Sequence, residues 1–167
     1  MKLVAAGVVS LALCATALAG GGQNVDLVKA FHAQLPKVKA KTTVPVLLPP
    51  TLPLLGKYRV YGSGSATRRS FDLELAGAPN CLGANACFVA MFDGRRGGKL
   101  PFKANVRLAG GDPAHYRHFT CGGSCSPSSF WFTHGGILYS WQAKDLPRNE
   151  KAIFVRMANQ AIDAGPR

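Results

Sequence analysis

Acidic side chains are scarce in this chain: Asp and Glu together number 8 among 167 residues, against 20 Lys and Arg. Only 17% of residues are charged, so the formal net charge of +12 reflects missing acids rather than dense basic tracts. Few carboxylates leave few pairs for general acid and base work. Asp72 and Glu74 do stand at alternate positions, but Phe71, Leu73 and Leu75 interleave with them and mark the acidic side of that strand as the wet one. Nucleophile signatures are missing as well. Ser124, Ser126, Ser128 and Ser129 lack the Gly-x-Ser-x-Gly elbow, and Gly62-Ser63-Gly64-Ser65 lacks the lysine and helix of a phosphate loop. The cysteine and histidine spacings are not those of a zinc finger or ribbon, even with His115 and His118 upstream of Cys121. No catalytic, metal-ligating or cofactor-binding residue is therefore assigned.

After residue 19 the chain also lacks a long apolar run, since Val44 to Leu55 is cut by Pro45, Pro49, Pro50 and Pro53. Before that point stand Met1 and Lys2, an apolar stretch from Leu3 to Leu13, and Ala17-Leu18-Ala19. A positive start, a short apolar run and a small-x-small site predict a secretory signal peptide over 1–19, cut before Gly20. An anchoring helix needs about 20 apolar residues, and Ser10, Thr16 and Gly20 to Gly22 break this one short. The expected product is exported, periplasmic or secreted, with no transmembrane segment after cleavage. It has a flexible leader over 20–24 and one domain over 25–165, a length sufficient for a buried core.

Cysteines are few, and one of the five, Cys14, lies in the predicted signal. Cys81, Cys87, Cys121 and Cys125 remain, an even set that suits an oxidising compartment. Four cysteines permit three pairings. Proximity favours Cys81 with Cys87 and Cys121 with Cys125, closing small loops worth about 2 kcal/mol each.

Periodicity predicts an α+β fold. Asn24 can cap a helix carrying Val25, Leu27, Val28, Phe31 and Leu35, ended by Pro36, with His32 on its surface. Lys37, Lys39 and Lys41 then alternate as on a strand edge, where lysines discourage aggregation. From Lys57 to Lys144 short alternating segments separated by turns read as an antiparallel meander of about five to seven strands. Turns are expected at Asp93-Gly94, Gly97-Gly98, Gly110 to Pro113 and His134 to Gly136. A closing helix, Asn149 to Ala164, carries Ile153, Phe154, Met157, Ala158, Ala161 and Ile162 on one face, with Asn149 as cap and Gly165-Pro166 as stop. Both helices are expected to pack on the sheet.

The order Trp131, Gly136, Tyr139, then a helix with Ala158-Asn159 and Ile162, resembles the C-terminal half of small exported bacterial domains of unknown function. That resemblance covers roughly a quarter of the chain. It implies fold and envelope location, without catalytic residues.

Binding is the function best served by these residues. Arg68, Arg69, Arg95, Arg96, Lys99, Lys103 and Arg107 are candidate anion contacts, arginine forks being suited to phosphate and carboxylate. The expected partner is an anionic envelope component or another envelope protein. Nucleic acid is not favoured, because most aromatics read as core rather than interleaved with charge. One alternative is a periplasmic inhibitor or immunity-type protein presenting a disulfide-held loop at Gly122, Gly123 and Ser124. Another is a hydrolase using His115 or His118, although strand alternation points the two imidazoles to opposite faces.

Overall fold

Two sets of antiparallel strands meet in the middle of one sheet in the computed structural model, which describes residues 22–81, 86–122 and 124–167. The first set is β3 (Tyr61–Thr67), β4 (Ser70–Ala76) and β5 (Phe88–Arg96); the second is β6 (Val106–Arg107), β7 (Pro113–Arg117), β10 (Ser128–His134) and β11 (Ile137–Ala143). The spatial order β3-β4-β5-β11-β10-β7-β6 makes seven strands. It departs from the expected simple meander. After β5 the chain crosses to the far edge and works back inward, so β11 pairs with β5. Two small antiparallel pairs stand apart: β1 (Gln23–Asp26) with β2 (Thr51–Leu54), and β8 (Thr120–Cys121) with β9 (Cys125–Ser126).

Alternation decides which face is covered. Leu73, Phe92, Trp141, Phe130 and Tyr116 lie opposite one another across successive strands, and all but the half-buried Tyr116 are buried. The C-terminal helix α3 (Glu150–Ala164) buries Ile153, Phe154, Met157, Ala158 and Ala161. Phe154 stacks on Phe130 with centroids 5.6 Å apart and ring planes 7° from parallel. At the other end Phe31 meets Phe92 edge-on at 6.3 Å. Val44 to Leu48 join the same core, and the Tyr139 hydroxyl donates to the Pro45 carbonyl at 3.0 Å. The helical elements therefore share one face of the sheet, as layer packing requires.

The N-terminal helix differs from expectation. Gln23 and Asn24, read as leader, begin β1, and the cap is Asp26, whose carboxylate accepts from the Lys29 amide at 2.9 Å. The helix breaks into α1 (Leu27–Ala30) and α2 (Leu35–Lys39). Pro36 opens α2 instead of ending a helix, because a first-turn position needs no amide proton. Lys37 and Lys39 thus sit on a helix rather than an alternating strand. Asn149 likewise makes no side-chain cap; it is left-handed at φ 70°, and the Glu150 carboxylate occupies the first turn.

Asp93-Gly94 is not a turn. Gly94 lies inside β5, where a Cβ would overlap the Phe71 ring, so its lack of a side chain serves close packing. Gly135 and Gly136 do form the expected hairpin turn, with φ of 57° and 75° between paired His134 and Ile137. Two positive φ values match the twist of the flanking strands. The alternation from Phe102 to Leu108 suggests a full strand, but only Val106 and Arg107 of it pair, as the short β6. Cys81 with Cys87 and Cys121 with Cys125 stand as disulfide pairs, Cα atoms 6.1 and 4.1 Å apart. The predicted signal lies outside the described residues. Among the described residues no helix is long and apolar enough to cross a membrane.

Candidate functional site

The sheet face opposite the helices carries the polar half of the alternation. Asp72, Asp93, Ser140, Trp131 and His115 lie in one cross-strand row over five strands. A cleft of about 430 Å³ opens on this row, lined by Ser70, Asp93, Arg95, Lys99, Trp131 and Ser140 among others. That size is within the range of small-molecule sites. Trp131, which the sequence alone assigns to neither face, is half-exposed here, because Phe130 and Phe132 on either side take the inward positions.

Neighbours on β7 fix the indole. The Phe102 ring meets Trp131 edge-on at 5.4 Å and His115 lies at 5.9 Å, while the Arg117 guanidinium sits 5.2 Å from the indole centroid. Phe102 belongs to the segment that follows β5 across this face. His115 is in turn held through Nδ1 by the Lys103 carbonyl at 2.7 Å. Trp131 is shared by this cluster and the cleft, whose lining includes Ser140 of β11 and Pro101 beside Phe102. A cation at an aromatic face typically contributes about 0.5–1 kcal/mol.

Asp93 is the most perturbed group of the cleft. Burial raises its carboxyl pKa from 3.8 to about 8, assisted by a hydrogen bond to Asp72 and by repulsion from that second carboxylate. Like charges this close cannot both ionise cheaply, so near neutral pH one proton stays in the pair. Glu74 stands two residues along β4 on the same side, with Oε1 buried and without a hydrogen-bond partner among the described residues. The acidic side of β4 is thus half-buried rather than freely wet. Reading β5 as ending before Asp93 hid this pair; continuing the alternation from Ala90 through Phe92 and Gly94 puts Asp93 on the outward face, and the β4–β5 register then sets it beside Asp72.

The basic candidates divide. Arg68 and Arg69 form the β3–β4 turn, and the Arg96 amide donates to the Arg69 carbonyl, so this turn adjoins the end of β5. Arg95 and Lys99 reach the cleft. Arg96, one residue on, points to the other face and donates to the Thr43 carbonyl at 2.8 Å. Lys103 and Arg107 belong to the far side near β6, where Arg107 donates to Gly111. One merged patch of seven is therefore not what the fold builds; Arg95 and Lys99, backed by Arg68 and Arg69, make a basic end to the cleft.

The other candidates lie apart from it. His118 is exposed and its Nδ1 contacts the Phe119 carbonyl, whereas His115 is stacked in the aromatic cluster, so the imidazoles do not converge. Ser128 is buried, donates to Glu150 and accepts from the Phe119 amide. The Tyr116 hydroxyl donates to the same Glu150 oxygen at 2.8 Å, and burial together with that carboxylate pushes its pKa to about 12. Those bonds tie α3 to the sheet and leave Ser128 without a free proton acceptor. Gly122 and Ser124 are exposed at the tip of the disulfide-closed β8–β9 hairpin; Gly123 lies outside the described residues. Among the described residues no group of three or more His, Cys, Asp or Glu is placed to hold a metal ion. No family model, curated protein or solved structure matches this chain.

Proposed function

We propose that this protein is an exported, non-enzymatic binding domain that takes an anionic component of the cell envelope into the cleft on its open sheet face. The observation that carries this reading is the placement of Arg95 and Lys99 beside Trp131 and Ser140 in a cleft of about 430 Å³. Export fits the predicted signal, and the paired cysteines fit an oxidising envelope compartment. The surplus of +12 draws anions toward the surface, and Arg95 with Lys99 gives them a place to stop. Such contacts weaken as salt screens them.

Binding of the purified exported form to lipopolysaccharide, anionic vesicles and inorganic polyphosphate, titrated against salt, tests the reading. Arg95→Ala combined with Lys99→Ala is expected to weaken binding by about tenfold or more. Absence of binding to all three and to acidic oligosaccharides at low salt, or an unaltered affinity in the double variant, overturns it.

The β8–β9 hairpin favours a second reading, a protein-inhibiting loop, because its disulfide leaves exposed Gly122 and Ser124 beside Phe119, which is 46% exposed. A rigid loop loses less entropy on docking. Equal recovery of envelope proteins by wild type and a Cys121→Ser, Cys125→Ser variant would reject it.

A further inference from the structure

We propose that the ligand of the cleft is an acidic saccharide, its ring laid on Trp131, its hydroxyls on Ser140 and Asp93, and its acid group between Arg95 and Lys99. This inference rests on the anion-binding reading and narrows it. Three features of the cleft carry it together. The first is an aromatic platform: Trp131 is held by Phe102, His115 and Arg117 and at the same time lines the cleft, so part of its ring system is offered to a ligand. The axial hydrogens of a pyranose give it an apolar face that packs on an aromatic ring, whose face is electron-rich.

The second feature is the mixture of charge. Carboxyls and cations share this face, with Asp72, Asp93 and Glu74 along two strands and Arg95 and Lys99 at one end. A polyphosphate would set dense negative charge against those carboxyls. A saccharide with separated acid groups does not, since its hydroxyls donate to carboxylate oxygens while its acid reaches the arginine and lysine. The one proton kept by the Asp72–Asp93 pair also lets that pair donate to a ring or hydroxyl oxygen.

The third feature is what the cleft lacks. Of the exposed large apolar residues Val28, Leu55, Phe102 and Phe119, none lines it, and Phe102 alone stands near it, edge-on to Trp131. A lipid-inserting surface would gather such residues around the cations. Nucleic acid would want several exposed aromatics in series along a basic groove, and of the two aromatics lining the cleft Phe71 is buried, which leaves Trp131.

Trp131 and Trp141 are the two tryptophans, and Trp141 is buried in the core, so a ligand-induced change in intrinsic emission reports chiefly on Trp131. The probes are oligogalacturonate, a heparin-derived oligosaccharide, methyl-esterified oligogalacturonate, inorganic polyphosphate, and phosphatidylglycerol vesicles. At least one acidic saccharide is expected to shift the emission and to bind about tenfold or more tighter than the esterified form. Trp131→Ala should lose about tenfold or more in saccharide affinity while polyphosphate binding changes less than about twofold. Trp131→Phe, which keeps a ring, should retain part of the affinity and serves if the alanine variant fails to fold. If polyphosphate or vesicles bind and neither acidic saccharide does, the saccharide inference fails and the anion reading stands. If nothing binds, both fail. Saccharide binding that ignores both Trp131 variants and esterification also overturns the inference.

Discussion

Replacing Asp93 by Asn removes an ionisation while keeping the side chain's size and a donor for Asp72. In the folded chain the Asp93 carboxyl titrates at about 8 instead of 3.8. Its pKa is raised on folding, so its contribution to stability is whole below about pH 4 and is lost as pH climbs through 8. Between those values the folded chain holds a proton that the unfolded chain has released. The unfolding free energy then falls by about 1.4 kcal/mol per pH unit. From about pH 5 to pH 7 the loss is about 2.7 kcal/mol, and it does not depend on the exact folded value while that value stays above 7. Against a typical total of about 5–15 kcal/mol this is a readily measured change. Urea unfolding of wild type and Asp93→Asn at several pH values gives the two curves. Every other ionisable side chain is common to both proteins, so the difference isolates the pair. The difference is expected to favour the variant increasingly with pH and to level off above about pH 8. Parallel curves across that range would refute the shared-proton account.

Other perturbations follow from the same face and core. The second negative charge gained by the Asp72–Asp93 pair near pH 8 should weaken anion binding beside Glu74, Arg95 and Lys99, with His115 and Arg117 farther along the face. Titration of oligogalacturonate affinity across that pH should show a fall in wild type that Asp93→Asn lacks. Phe154→Ala removes the ring stacked on Phe130 between α3 and the sheet, and should cost about 3–5 kcal/mol in denaturant unfolding. Glu150→Gln loses the charged acceptor shared by Ser128 and Tyr116 and should cost about 1–3 kcal/mol, with the Tyr116 pKa moving down toward 10 in an absorbance titration. Reducing the Cys121–Cys125 hairpin should cost no more than about 2 kcal/mol, read as a small drop in melting temperature, because the loop it closes is short.

Local signals read well where one physical cause dominated. Phe71, Leu73 and Leu75 against Asp72 and Glu74 predicted β4, and Gly135-Gly136 predicted its hairpin, because strand alternation and positive φ are written in neighbouring residues. The apolar face of α3 was legible for the same reason. Pairing of Cys81 with Cys87 and Cys121 with Cys125 followed from proximity. The N-terminal helix was misread at Pro36, since proline ends a helix from within but opens one at its first turn. Gly94 misled for a similar reason: glycine marks a turn or makes room for a ring, and Phe71 is far away in sequence.

The chain's own composition and periods determined that it is basic, that it forms an antiparallel sheet with helices on one face, and which side chains alternate inward. These are properties of a residue and its near neighbours. Only tertiary structure decided that β11 enters between β5 and β10, because strand order depends on contacts between distant segments. That insertion sets Ser140 between Asp93 and Trp131 in one cross-strand row. The cleft exists because those residues are neighbours in space, and no stretch of sequence brings them together.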